Sequence, residues 1–112
     1  MRVKDLIKGD LLWVGSKTTV REAAWFMFER RCGAIVVIDD DRLVGIFSER
    51  DVLNRVVAPG IDPDKVRLDE VMTKEVLTIE TNASAEAALR IMYQKRLRPL
   101  PVVNSEGKAI GM

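Results

Sequence analysis

The sequence predicts an α/β (α+β) fold of two pseudo-symmetric β-α-β-β-α repeats packed sheet to sheet, the second lacking its final helix. Three observations predict it: one apolar pattern that runs twice, helix-spaced apolar runs that alternate with strand-like ones, and a chain that stops before the second pattern closes. Laying residue n on n+65 matches Leu6/Val71, Ile7/Met72, Leu12/Leu77, Val14/Ile79, Ala23/Ala88, Met27/Met92, Val37/Val102 and Ile38/Val103. One added residue, Gly107, shifts the offset to 66, after which Leu43/Ala109, Val44/Ile110 and Gly45/Gly111 fall into step. Agreement over so many positions, broken once in a turn, marks an internal duplication.

In the first repeat Thr19 precedes apolar residues Val20, Ala23, Ala24, Met27 and Phe28 at spacings of three and four, which predicts an amphipathic helix with a Thr N-cap. Ala34 to Ile38 is a short β-branched run without polar alternation, so it reads as a strand buried on both faces. An Asp39-Asp40-Asp41 turn leads to a second strand at Leu43 to Phe47. Ser48 is placed to cap a helix that runs through Val52, Leu53, Val56 and Val57, and Ala58-Pro59-Gly60 stops it. The second repeat restarts with a helical turn at Leu68 to Met72, a strand at Val76 to Ile79 and a helix from Ser84 to about Arg96. Leu100 to Val103, an Asn104 to Gly107 turn and Ala109 to Met112 follow. The expected organisation is repeat 1 over 1–57, a linker over 58–65 and repeat 2 over 66–112, forming one compact module.

Composition narrows the function classes. Lys plus Arg number 18 against 17 Asp plus Glu, so net charge does not advertise nucleic acid as a partner. No apolar run approaches the roughly 20 residues of a membrane span, and a cytoplasmic location without membrane association is expected. With one cysteine and no histidine, disulfide frameworks and nitrogen/sulfur metal sites lack ligands. Cys32 reads as a small buried hydrophobe. The acidic triplet at 39–41 reads as a strand-to-strand turn in preference to a Mg²⁺ site, since repeat 2 carries Asn-Ser-Glu-Gly there. Trp25 lies beside the apolar stripe, as a dimer contact or a partly buried surface aromatic.

Several motifs in order carry a family resemblance: Thr19 to Ala24 with Met27, Gly33 to Asp39, Gly45 to Asp51, then Ala87-Ala88 with Met92, Leu97 to Val103, Gly107 and Gly111. Repeated at fixed spacing, they resemble the cystathionine-beta-synthase (CBS) domain family, in which two tandem copies form one regulatory module. The resemblance implies a ligand signature of glycine, a hydrophobic pair, Ser or Thr, two variable residues and Asp, met by Gly45 through Asp51. The spacing has a physical reason. A strand-to-helix junction offers unpaired N–H groups to an anion, its hydroxyl donates to a phosphate, and a carboxylate one turn in accepts from a vicinal diol. A Ser-capped helix with an acidic first turn explains the same residues without a ligand; the family pattern tips the balance towards binding.

Carried over from the family, the ligand site joins Ser48, Arg50 and Asp51 to Met72, Thr73, Leu77, Leu97, Arg98, Pro99 and Leu100. Met72, Leu77 and Leu97 would form the purine slot, and Arg98 would pair with phosphate or stand as a solvated helix-end charge. A second half-site comprises Ile7, Leu12, Cys32, Gly33 and Ala34, whose polar half would follow Gly111. A shortened or lost tail is the expected reason for its absence, with apolar surface left for another chain to cover.

The resemblance thus implies a non-enzymatic regulatory or energy-sensing module for AMP, ADP or ATP, with no required cofactor, acting as a homodimer or through an effector protein. The alternatives are an assembly-only dimerisation module with a vestigial cleft, or a sensor of S-adenosylmethionine or NAD. Catalysis lacks a histidine, a paired carboxylate constellation and a glycine-rich phosphate loop.

Overall fold

The computed structural model describes residues 2–3, 11–76, 78–95, 101–104 and 108–111, with side chains left aside at 93–95 and 109–111. Helices and strands mix as an α+β fold in two compact units, one of Trp13–Val76 and one of Met1–Leu12 with Leu77–Met112. No helix among the described residues is long and apolar enough to cross a membrane.

In the Trp13–Val76 unit, β1 (Trp13–Val14) pairs in parallel with β2 (Ala34–Asp39), and β2 pairs antiparallel with β3 (Arg42–Ser48). Ala34 to Val37 are all buried, as an apolar run without alternation requires. The hairpin closes on Asp40 and Asp41 at φ 49° and 63°. Two positive φ values match a two-residue turn to the twist of its strands, and aspartate tolerates them better than most residues. The acidic triplet is therefore a turn, and Asp39 is spoken for: its carboxylate accepts from the Ser16 hydroxyl (2.5 Å) and amide (3.0 Å).

Helix α1 (Val20–Arg30) starts where Thr19 and Glu22 cap each other, Glu22 N–H donating to Thr19 Oγ1 and Thr19 N–H to the Glu22 carboxylate. It ends at Arg31, left-handed at φ 53°, whose N–H reaches the carbonyls of Met27 and Phe28. Val20, Ala23 and Met27 form the buried stripe. Phe28, expected on that stripe, is 71% exposed and stacks on Trp25 with ring centroids 5.4 Å apart. It lies at the stripe's edge, where a neighbouring aromatic covers one face.

After α2 (Glu49–Asp51) the chain widens into a π-helical stretch, Val52–Val57, with Ala58 N–H bonding Leu53 O at 2.9 Å. Only Val56 of that stretch is buried; Leu53 and Val57 are exposed. The continuous helix expected here is thus one α turn followed by π turns. Gly60 at φ 80° ends it.

The second unit repeats the sheet. β4 (Ile79–Glu80) is parallel to β5 (Val102–Val103), which is antiparallel to β6 (Ala109–Gly111). Of the strand expected over Val76 to Ile79, Leu77 lies outside the described residues, and among those described Ile79 and Glu80 pair with β5. Helix α4 (Ala85–Lys95) is capped by Ser84, whose Oγ accepts from Ala87 N–H at 3.1 Å. Val3, Ile79, Ala88 and Val102 form this unit's core, with Ala83, Ala87, Ile91 and Met92 against it.

The opening segment of each repeat sits in the unit of the other repeat. Leu68, in α3 (Leu68–Val71), donates to Thr18 O, and Thr19 bridges Arg67. Correspondingly, Val3 donates to Ala83 O and Arg2 bridges Ser84. Each partner in the second pair of contacts is the counterpart of one in the first, at the 65-residue offset.

Candidate functional site

The strand β3 stops at Ser48 because the backbone stays extended there (φ −124°, ψ 165°) while its side chain begins a helix. Asp51 N–H donates to Ser48 Oγ at 3.2 Å, and Ser48 N–H donates to Asp51 Oδ2 at 3.0 Å. This reciprocal cap folds the Asp51 carboxylate back over the strand end. It leaves the Ser48 hydroxyl proton to donate elsewhere. Arg55 Nε lies 3.7 Å from Oδ1, and the Asp51 side chain is 13% exposed.

Met72 and Thr73 are held beside the same strand. Ile46 and Thr73 exchange both backbone hydrogen bonds, each 3.0 Å, two residues before Ser48. Gly45 makes room: a Cβ there would sit 2.5 Å from Met72 Sδ. The glycine is thus needed for close approach, which leaves Met72 only 7% exposed.

The structure places Ser48 and Asp51 at the end of β3 and Met72 and Thr73 beside Gly45 and Ile46 of the same strand; Arg50 projects from α2 as an exposed residue. Leu77, Leu97, Arg98, Pro99 and Leu100 lie outside the described residues, as does Ile7 of the half-site. Of the other half-site residues, Leu12 is half-buried. Ala34 pairs directly with Ser48 in the β2–β3 ladder, and Gly33 O accepts from Glu49 N–H at 2.9 Å. Gly33 and Ala34 therefore stand back to back with the Ser48 junction. Cys32 is half-buried, less enclosed than a core hydrophobe, and its amide caps α1 through Met27 O at 3.1 Å.

Sequence reasoning missed Arg55. Besides approaching Asp51, its Nη1 donates to Val71 O at 2.9 Å, at the C-terminal end of α3. The signal was available, since Asp51 and Arg55 are four residues apart on a helical run. It missed the Ser16–Asp39 contact for want of any local pattern. The Ser16 hydroxyl and amide hold the Asp39 carboxyl below the usual carboxylate range; partial burial opposes this and the Lys17 charge assists. Among the described residues no cluster of three or more His, Cys, Asp or Glu is arranged to hold a metal ion.

Fold and junction define a class: a duplicated α+β module whose glycine-to-aspartate motif turns a strand into a helix. The CBS domain family model matches residues 3–58 and 68–112, and the chain belongs to that family as a tandem pair. An uncharacterized protein of Methanopyrus kandleri, MK0525, is 32% identical over 111 residues; the match covers 98% of this chain and 57% of that protein. The crystal structure of the CBS domain protein NE2398 superposes with a TM-score of 0.92 at 31% identity, covering 99% of this chain and 88% of that one. The CBS domain pair of MJ0100, solved in complex with 5′-methylthioadenosine and S-adenosyl-L-methionine, has a TM-score of 0.88 at 22% identity, over 99% of this chain and 90% of that one. That last likeness is one of fold.

Proposed function

We propose that this module is a non-enzymatic, cytoplasmic regulator that binds AMP, ADP or ATP at the β3–α2 junction. The observation that carries the reading is the reciprocal cap between Ser48 and Asp51. It presents one hydroxyl donor and one carboxylate acceptor from a strand end, the pair that a phosphate and a ribose diol require. Met72 and Thr73 lie along the same strand, and the family pattern would add Leu77, Leu97, Arg98, Pro99 and Leu100 as purine and phosphate contacts. No cofactor is required; the nucleotide is the regulatory ligand. Binding stiffens the module and biases self-association or an effector protein, as linkage demands of a ligand with differential affinity.

Titration calorimetry with AMP, ADP and ATP tests the site. Asp51→Ala is expected to weaken binding by about tenfold or more, the scale of a lost hydrogen bond to a charged group. Absence of heat with all three nucleotides, or unchanged affinity in the variant, overturns it. S-adenosylmethionine and NAD belong in the same titration, because the proposed site would read a ribose common to all, and the MJ0100 pair was solved with two adenosine compounds.

The exposed Trp25, Phe28, Leu53 and Val57 favour a second reading, homodimer assembly through helical faces. A dimer in light scattering that is indifferent to every adenosine ligand would select assembly alone.

A further inference from the structure

We propose that Arg55 is a positioning residue of the nucleotide site, fixing the Asp51 carboxylate and the Met72–Thr73 segment as one piece. This rests on the nucleotide reading above. Asp51 Oδ2 accepts from Ser48 N–H, which turns the carboxylate to one orientation, and Arg55 Nε is 3.7 Å from its other oxygen, Oδ1. The same guanidinium donates through Nη1 to Val71 O at 2.9 Å. Val71 closes α3, where the last carbonyls lack intrahelical donors, and Met72 follows it directly. Arg55 at Val71 and the notch at Gly45 thus hold the two ends of one short stretch, with the Ile46–Thr73 pair beyond.

Arg55 thus hydrogen-bonds Val71 O while its Nε stands at ion-pair distance from Asp51, and a planar guanidinium serves both positions better than an ammonium does. Arg55 also stands in the π-helical stretch that begins immediately after Asp51. Such wide turns recur at functional sites. Arg55 acts through Asp51 and the Met72–Thr73 segment.

The test compares AMP with 2′-deoxy-AMP by calorimetry on the wild type, Arg55→Gln and Arg55→Lys. In the wild type AMP binds more tightly, because the diol is read by a fixed carboxylate. Arg55→Gln is expected to weaken AMP about tenfold and 2′-deoxy-AMP less than about threefold, with Arg55→Lys between, as for loss of a charge-assisted contact. Hydrogen exchange at the Thr73 and Ile46 amides, measured without nucleotide, is expected to quicken in Arg55→Gln. Equal weakening of both nucleotides in the two variants would mean a merely structural role and overturn the proposal, as would wild-type affinity in Arg55→Gln. A wild type that binds neither nucleotide instead removes the nucleotide reading, and with it the role assigned to Arg55.

Discussion

The two sheets of this molecule agree where register is at stake and differ where surface chemistry is. In the Trp13–Val76 unit Val14 pairs Val37, Val37 pairs Gly45 and Ile38 pairs Leu43, with the ladder slipping between Val37 and Ile38. In the other unit Ile79 pairs Val102, Val102 pairs Gly111 and Val103 pairs Ala109, slipping between Val102 and Val103. Even the irregularity is duplicated. The helices that follow β1 and β4 have diverged at their starts: Thr19 and Glu22 cap α1 reciprocally, whereas Ser84 caps α4 alone, with Ala87 where the return partner would stand. A slip of one residue would turn every side chain to the wrong face, so register is retained. A cap contributes only about 1 kcal/mol and is free to drift.

The strongest way to break this comparison is at Gly45. Gly45→Ala places a methyl group on Met72 Sδ and is expected to cost roughly 2 kcal/mol in chemical denaturation, typical of overpacking. Pairing it with Met72→Ala should return part of that loss. Full wild-type stability in Gly45→Ala alone would show that Met72 moves aside freely.

A smaller effect separates the two caps. Thr19→Ala is expected to lower stability by about 1 kcal/mol and Ser84→Ala by roughly half that, because only the first also frees its glutamate from a reciprocal bond. Equal losses in urea melts would mean the second bond of the box contributes nothing.

The smallest effect is on pH response. Asp39 is matched in the other repeat by Asn104, which has no charge to lose. Since the folded carboxyl titrates below its ordinary value, its ionised form stabilises the fold. That contribution is complete above the unfolded carboxylate pKa of about 3.9 and disappears as pH falls through the lower folded value. Asp39→Asn should therefore be less stable at neutral pH and show a shallower acid decline below about pH 4. An unaltered acid limb in thermal melts would assign that decline to other carboxylates.

Much of the fold was legible because duplication turns one sequence into two observations. The single insertion at Gly107 shifts the offset from 65 to 66, and the ladders obey it: Val37/Val102 keep the first offset, Gly45/Gly111 the second. Thr19 and Ser48 announced their caps, since capping is local chemistry. Phe28 was counted on the apolar stripe although it is exposed, because hydrophobicity cannot distinguish a buried face from one left outward. The crossing of opening segments was illegible because no local pattern encodes a partner so distant in sequence. At the site, the Ser48–Asp51 junction could be read from spacing, while Arg55's hold on Val71 joins residues 16 apart, which spacing does not reveal.

The crossing of opening segments also orders events in time. As the chain is synthesised, the Val3 amide must wait for Ala83 O to emerge, whereas Thr18 O needs only Leu68. The unit at Trp13–Val76 can thus assemble while the second is still incomplete, and closing the longer loop comes last because its entropy must be spent before its contacts form. Val3 is thus among the later residues to find its place.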